Sequence, residues 1–268
     1  MYACPICQQP LQRLGQRWSC AQNHSFDIAK ENYVNLLPVQ YKRSKNPGDN
    51  AEMMQARRAF LNQDHYLPLA NNISQLLSSF LNRPDAQLLD LGCGEGYYTH
   101  ALAQHFPELK VWGLDISKTA IRYAAKRYPS IEFSVASAYQ LPFVDQSFDA
   151  LVRIYAPSQA SEIRRVLKPG GLFLSVQPAA KHLIELKQAI YQTPQEHDEI
   201  LTPLEGFEPI EQVTLGYSLA LNSVEDRLNL MNMTPFGWKL NSDQKQQLAQ
   251  QLHLVSADFL IQLQRKIG

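Results

Sequence analysis

The sequence predicts an α/β fold: a mostly parallel sheet with helices on both faces, an antiparallel edge, and a small metal-binding domain in front. Three observations predict it. From residue 84 onward, short apolar runs alternate with helical patterns of 8–12 residues, as parallel strands joined by crossover helices require. Two late segments, 213–221 and 255–263, read as strands pairing antiparallel at an edge; the second alternates Val255, Ala257, Phe259 and Ile261 with Ser256, Asp258 and Gln262. Three of the four cysteines lie in a short, turn-rich piece before residue 38. With 45% hydrophobic residues among 268, the chain can bury a sizeable core, which excludes a disordered or fibrous protein.

The elements follow in order. Residues 1–37 form the expected zinc-binding domain. Residues 38–83 hold a polar basic stretch, Tyr41 to Asp49, which reads as a loop. Two linking helices follow it, Ala51–Leu61 and 67–81, the second stopping before Pro84. Residues 84–268 form the larger domain. Its strands are Gln87–Leu91, Lys110–Asp115, 131–136, Phe148–Ile154 and 172–177. Its helices are 97–106, ended by Pro107, a helix to Arg127 with Ser117 as N-cap, and 159–167. No apolar run reaches the roughly 18 residues of a membrane span and no secretory signal pattern opens the sequence, so a cytoplasmic protein with reduced thiols is expected.

A net charge of zero hides a division along the chain. Residues 1–58 carry eight Lys and Arg against four acids, whereas 195–212 carry six acids and no Lys or Arg. One end therefore attracts anions while another region repels them.

The first candidate site is Cys4-x2-Cys7-x12-Cys20-x3-His24. Two knuckles with two ligands each close a tetrahedron around zinc, and four protein ligands leave no position for water, so the expected role is structural. About 37 residues cannot build a sufficient core, so metal binding would supply the folding energy.

The second is Leu88-Leu-Asp-Leu-Gly-Cys-Gly-Glu-Gly-Tyr-Tyr-Thr99, running from a strand into a helix. Glycines at 92, 94 and 96 let the main chain turn sharply and approach a ligand closely. The dinucleotide fingerprint would need glycine at 97, where Tyr97 sits. Asp90 precedes the glycines, and Asp115 ends the next strand 25 residues later, placed to accept both ribose hydroxyls of an adenosine. Together these features resemble the S-adenosylmethionine site of class I methyltransferases (Rossmann-like), in which Ala136-Ser137-Ala138 would hold the adenine. Cys93 reads as a small packed thiol.

The whole chain resembles one family, the bacterial 23S ribosomal RNA (guanine-N1)-methyltransferases. The resemblance rests on Cys4-Pro-Ile-Cys7, the run from His24 to Pro38, Lys42-Arg-Ser, Gly48-Asp49, Met53 to Leu61, the glycine loop, Arg153-Ile-Tyr-Ala-Pro157 and Met233-Thr-Pro-Phe236. The block from His24 to Leu61 is specific to this family, while many methyltransferases share the cofactor motifs. The resemblance implies methylation of N1 of a specific guanine in a domain II hairpin of 23S rRNA, near the exit tunnel. It also implies a homodimer whose clefts receive the RNA. The 153–157 pattern and the C-terminal block are closer to the Gram-negative branch than to the branch methylating a neighbouring guanine. Tyr66 and His182 are implied as further cofactor contacts beside Glu95 and Gly96.

The chemistry adds residue roles. Guanine N1 lies on the Watson–Crick edge and carries a proton, so the base must be unpaired and a proton must leave. Enzymes acting on exocyclic amines carry Asn-Pro-Pro-aromatic where this chain has Arg153 to Pro157; Arg in place of Asn suits a ring nitrogen. Tyr155 is expected to stack on the guanine and Pro157 to shape its pocket. Lys42, Arg43, Lys45, Arg57 and Arg58 are candidates to neutralise RNA phosphates, with ion pairs to Glu52 or structural contacts as the alternative for Arg57 and Arg58. Two other readings compete: a small-molecule methyltransferase, which leaves the zinc module without a purpose, and a non-catalytic binding protein, against which the intact Asp90, glycines and Asp115 argue.

Overall fold

The computed structural model describes residues 1–38, 50–81, 83–193 and 202–268. Eight strands form one sheet. Its centre is β5 (Gln87–Leu91), flanked by β6 (Lys110–Asp115) and β8 (Phe148–Ile154), both parallel to it. β7 (Glu132–Val135) and β9 (Leu167–Pro178) extend the parallel set outward. β11 (Leu254–Lys266) and β10 (Phe207–Ala220) close one edge antiparallel, as expected, though both run longer than the alternation predicts.

Alternate residues of the central strands feed opposite cores. Leu88, Val111, Ala150 and Val152 pack beneath α1 (Ala51–Leu61) and α2 (Leu67–Ser78), together with Phe259. Leu89, Leu91, Trp112, Leu151 and Phe173 face the other side. There they meet α5 (Ala160–Val166) and the N-terminal module through Tyr2 and Leu11. Burial on both faces is what an all-parallel centre requires. The loops that follow β5, β6 and β8 emerge at one end of the sheet, the crevice where such folds bind ligands. α3 (Tyr97–His105) and α4 (Lys118–Arg127) are the crossover helices there, and the Ser117 hydroxyl accepts the Ala120 N–H as the N-cap.

The N-terminal module has its own three-stranded antiparallel sheet, β1 (Gln12–Leu14), β2 (Arg17–Ser19) and β3 (Ser25–Asp27). Unexpectedly, the chain then enters the large sheet: β4 (Tyr33–Asn35) pairs parallel with β7 as its outer strand. Three residues give too short a period-two signal to be seen in sequence. Three helices were also missed, α6 (Ile184–Ile190), α7 (Val224–Asn232) and α8 (Ser242–Ala249). All are nine residues or fewer, too short for a clear helical period. Among the described residues, no helix is long and apolar enough to cross a membrane.

Candidate functional site

The sequence places Cys4 and Cys7 in one turn and Cys20 and His24 in another, and the fold brings the four donor atoms within 4.8 Å of one another. Cys7 Sγ lies 3.6 Å from Cys20 Sγ. His24 Nδ1 lies 3.5 Å from Cys4 Sγ and 3.4 Å from Cys20 Sγ. A tetrahedral zinc with bonds of about 2.3 Å to sulfur and 2.0 Å to nitrogen has edges of about 3.5–3.8 Å. The four side chains therefore fit one zinc ion, bound through Nδ1 of the histidine and closed to water. Tyr2, two residues before the first ligand, is fully buried, stacked on Phe143 and edge-on to Trp18 and Trp112. Ala3 N–H donates to Pro142 O at 2.9 Å, so the ligand-bearing turn is tied to the large domain.

The glycine loop leaves β5 at the ligand end of the sheet. Gly92, Gly94 and Gly96 take φ of +77°, +55° and +83°, a region open to glycine at little cost and strained for other L-residues. At Gly92 a side chain is excluded twice over, since a Cβ there would sit 2.3 Å from that of Ala156. That contact puts the segment Arg153 to Pro157 directly against the loop. The N–H groups of Gly92 and Cys93 both donate to Leu114 O, holding the loop on β6. Cys93 is buried and its thiol is pushed up by that burial, so it packs, as expected, rather than reacts.

The two acids separate in role. Asp115 is partly open; its Oδ2 accepts Gly94 N–H at 3.0 Å and its Oδ1 accepts Ser117 N–H at 2.7 Å. These bonds aim the carboxylate at the loop. Asp90 is only 2% exposed and accepts the Thr99 hydroxyl at 2.6 Å. Burial pushes its carboxyl up to about 7, against the lowering effect of Thr99, with Asp115 adding to the rise. Asp90 thus braces the strand end against the start of α3. Sequence reasoning missed Thr99, which carries no signal nine residues from its partner.

A second cluster gathers around Phe259 of β11. The rings of Tyr66, His182 and Tyr217 lie 5.1, 5.0 and 6.1 Å from it, and Tyr155 lies 6.4 Å away. Tyr66 is buried at the N-terminus of α2, and burial raises its phenol. His182 Nδ1 accepts the Asp258 N–H at 3.2 Å, so the neutral ring carries its proton on Nε2. Tyr155 has φ of +56°, strained for a bulky residue; the residue as a whole is 44% exposed, while burial of its phenol pushes that group up. Such strain clusters at functional positions. Pro157 is exposed beside it. Phe259 as the hub was not singled out in the sequence, where it looked like one more inward residue of an edge strand. Arg153 instead turns back, donating to Ser158 Oγ at 3.0 Å and lying over Phe173.

The basic candidates divide. Lys42, Arg43 and Lys45 lie outside the described residues. Arg57 Nη2 donates to Met233 O at 3.3 Å, and Arg58 grips Glu95 in the glycine loop. Within the chain, Arg58 thus makes an ion pair and Arg57 a backbone contact, the arrangement named as the alternative to phosphate binding. The expected partner, Glu52, is replaced by Glu95, because the helix lies across the loop.

Residues 2–45 match the zinc-ribbon family described as RlmA, N-terminal, and residues 88–171 match the family described as Methyltransferase domain. The chain is 32% identical over 251 residues to the 23S rRNA (guanine(748)-N(1))-methyltransferase of Streptomyces fradiae, across 90% of this chain and 87% of that one. It is 30% identical over 280 residues to Bacillus subtilis (strain 168) YxjB, whose name carries the same 23S rRNA (guanine-N1) reaction, across 100% and 96% of the two chains. A Bacillus halodurans C-125 protein described as a methyltransferase has the same fold, with TM-score 0.50 at 19% identity over 74% of this chain and 100% of that one.

Proposed function

This chain belongs to the 23S rRNA (guanine-N1)-methyltransferase family, and from that premise we propose that it methylates N1 of a guanine in a domain II hairpin of 23S rRNA, using S-adenosylmethionine. The observation that supports this reading is the meeting of the glycine loop with the 153–157 segment at Gly92 and Ala156: a donor held by the loop would lie beside a strained tyrosine, Tyr155. The reading divides the chain into a zinc-binding module (1–37), a basic connector with two helices (38–83) and a transfer domain (84–268), with β4 as the module's exit into the sheet. It has the protein act in the cytoplasm as a homodimer whose clefts receive the hairpin.

S-adenosylmethionine supplies an already activated methyl, so the protein's work is chiefly positioning. In this reading Asp115 accepts ribose hydroxyls, and Gly92, Gly94 and Gly96 admit the donor against their main chain. Tyr66 and His182 border it from the Phe259 cluster. Tyr155 stacks on the unpaired guanine and Pro157 bounds its edge. Lys42, Arg43 and Lys45 meet phosphates, and the zinc module holds its own fold beside the cleft.

The reading is tested by mapping N1-methylguanine in 23S rRNA from cells with and without the gene, followed by transfer of labelled methyl to domain II fragments by the purified protein. Loss of one N1-methylguanine in the deletion supports it; an unchanged map overturns it. Tyr155→Ala should lower turnover by about tenfold or more, as loss of one base stack costs about 1–3 kcal/mol, while Tyr155→Phe keeps it; wild-type turnover in the alanine variant removes the stacking role.

A further inference from the structure

Helix α1 lies across the donor loop. Arg58, in its last turn, donates from Nε to Glu95 Oε2 at 2.6 Å and from Nη2 to Oε1, so one guanidinium holds both oxygens of one carboxylate. The same group stands 4.1 Å over the ring of Tyr123 in α4. One turn earlier in α1, Met54 Sδ accepts the Ser117 hydroxyl at 3.7 Å, two residues beyond Asp115. Arg58 and Glu95 side chains are only 32% and 17% exposed, so water screens the pair incompletely, and a bidentate geometry adds direction to the attraction.

Glu95 sits between two glycines with positive φ, whose backbone has more accessible states than any other residue's. Between Gly92 and Gly96 the loop has two side chains by which it can be held. Cys93 anchors it inward by burial, and Glu95 anchors it outward through Arg58. We propose that Arg58 is a positioning residue for the methyl donor: by gripping Glu95 it fixes Gly94 to Gly96 in the conformation that receives the donor. Glu95 then serves the site as the handle of the loop, and α1 becomes part of the donor site although it carries no donor motif. This rests on the reading of the glycine loop as the donor site.

The test is calorimetric titration of the zinc-loaded full chain with S-adenosylhomocysteine, followed by initial rates of RNA methylation. R58A and E95Q should each weaken binding by about tenfold, the worth of a charge-assisted pair. R58K should fall between R58A and wild type, since an ammonium cannot match the fork. The double variant R58A/E95Q should be no weaker than the worse single, as coupled residues require. In the rates, KM for the donor should rise while kcat at saturating donor is kept. E95Q, nearly isosteric, carries the same expectation should R58A not fold. If wild type binds and both single variants match it, the inference is overturned alone; if R58A instead flattens the salt dependence of RNA affinity with donor affinity unchanged, Arg58 is a phosphate contact. Wild type that gives no binding heat overturns the donor-site reading, and this inference with it.

Discussion

The zinc module and the large sheet reach order by different physics. In the module, β1 is exposed along its whole length and β2 and β3 are at best half-buried; four side chains converging on one point hold the strands. In the sheet, β5 and β8 bury nearly every residue and feed cores on both faces. The first region depends on a few strong, directional bonds, the second on many weak contacts summed over area. A region of the first kind fails all at once when one bond type is removed. The second tolerates change except where the backbone itself is constrained, as it is at the glycine loop.

Chelation should break the comparison most sharply. Removing zinc from the full chain should abolish hydrogen-exchange protection in residues 1–27, while β5, β6 and β8 keep theirs; equal loss in both regions would make them one cooperative unit. Metal analysis of the untreated protein should return one zinc per chain. Tyr2→Ala cuts the seam rather than the metal. Tyr2 is 0% exposed among Trp18, Trp112 and Phe143, so truncation should cost about 3–5 kcal/mol in urea unfolding, with zinc still bound.

Gly92→Ala probes the constrained backbone. Both the φ of +77° and the 2.3 Å approach to Ala156 oppose it, for a loss of about 2–4 kcal/mol. Donor affinity should fall with it, whereas Gly15→Ala, at φ +63° with open space around it, should cost only about 1–2 kcal/mol. The remaining effect is a slope. Asp90, with its carboxyl pushed up to about 7 by burial, keeps its proton in the folded chain between about pH 4 and 7, where an unfolded aspartate has lost it. Its contribution to stability therefore falls as pH rises through that window and is constant above it. Asp90→Asn should flatten the fall, read as urea midpoints at pH 5 and pH 8; parallel curves for the two proteins would show Asp90 ionised throughout.

Much of this was legible beforehand. Helix Ala51–Leu61 and strands Gln87–Leu91, Lys110–Asp115 and Phe148–Ile154 have the bounds that periodicity predicts, because long, strongly patterned segments are locally consistent with their fold. The zinc ligands and the glycine loop were readable from spacing. The contact of Arg58 was not: nothing in the local sequence of its helix joins it to Glu95, 37 residues further on. Asp90 and Asp115 looked like a matched pair, yet one is buried against Thr99 and the other is open to the site.

By itself the sequence determined the metal cluster, the glycine loop and the parallel β/α order, since each is written in neighbouring residues whose separation along the chain is the separation the chemistry needs. Only the tertiary structure decided that β4 leaves the zinc module to extend the large sheet, that α1 meets the glycine loop through Arg58 and Glu95, and that Phe259 gathers Tyr66, Tyr155 and His182. Those contacts join residues tens to nearly two hundred positions apart, and which of them meet is settled by the packing of whole elements, a property no local pattern carries.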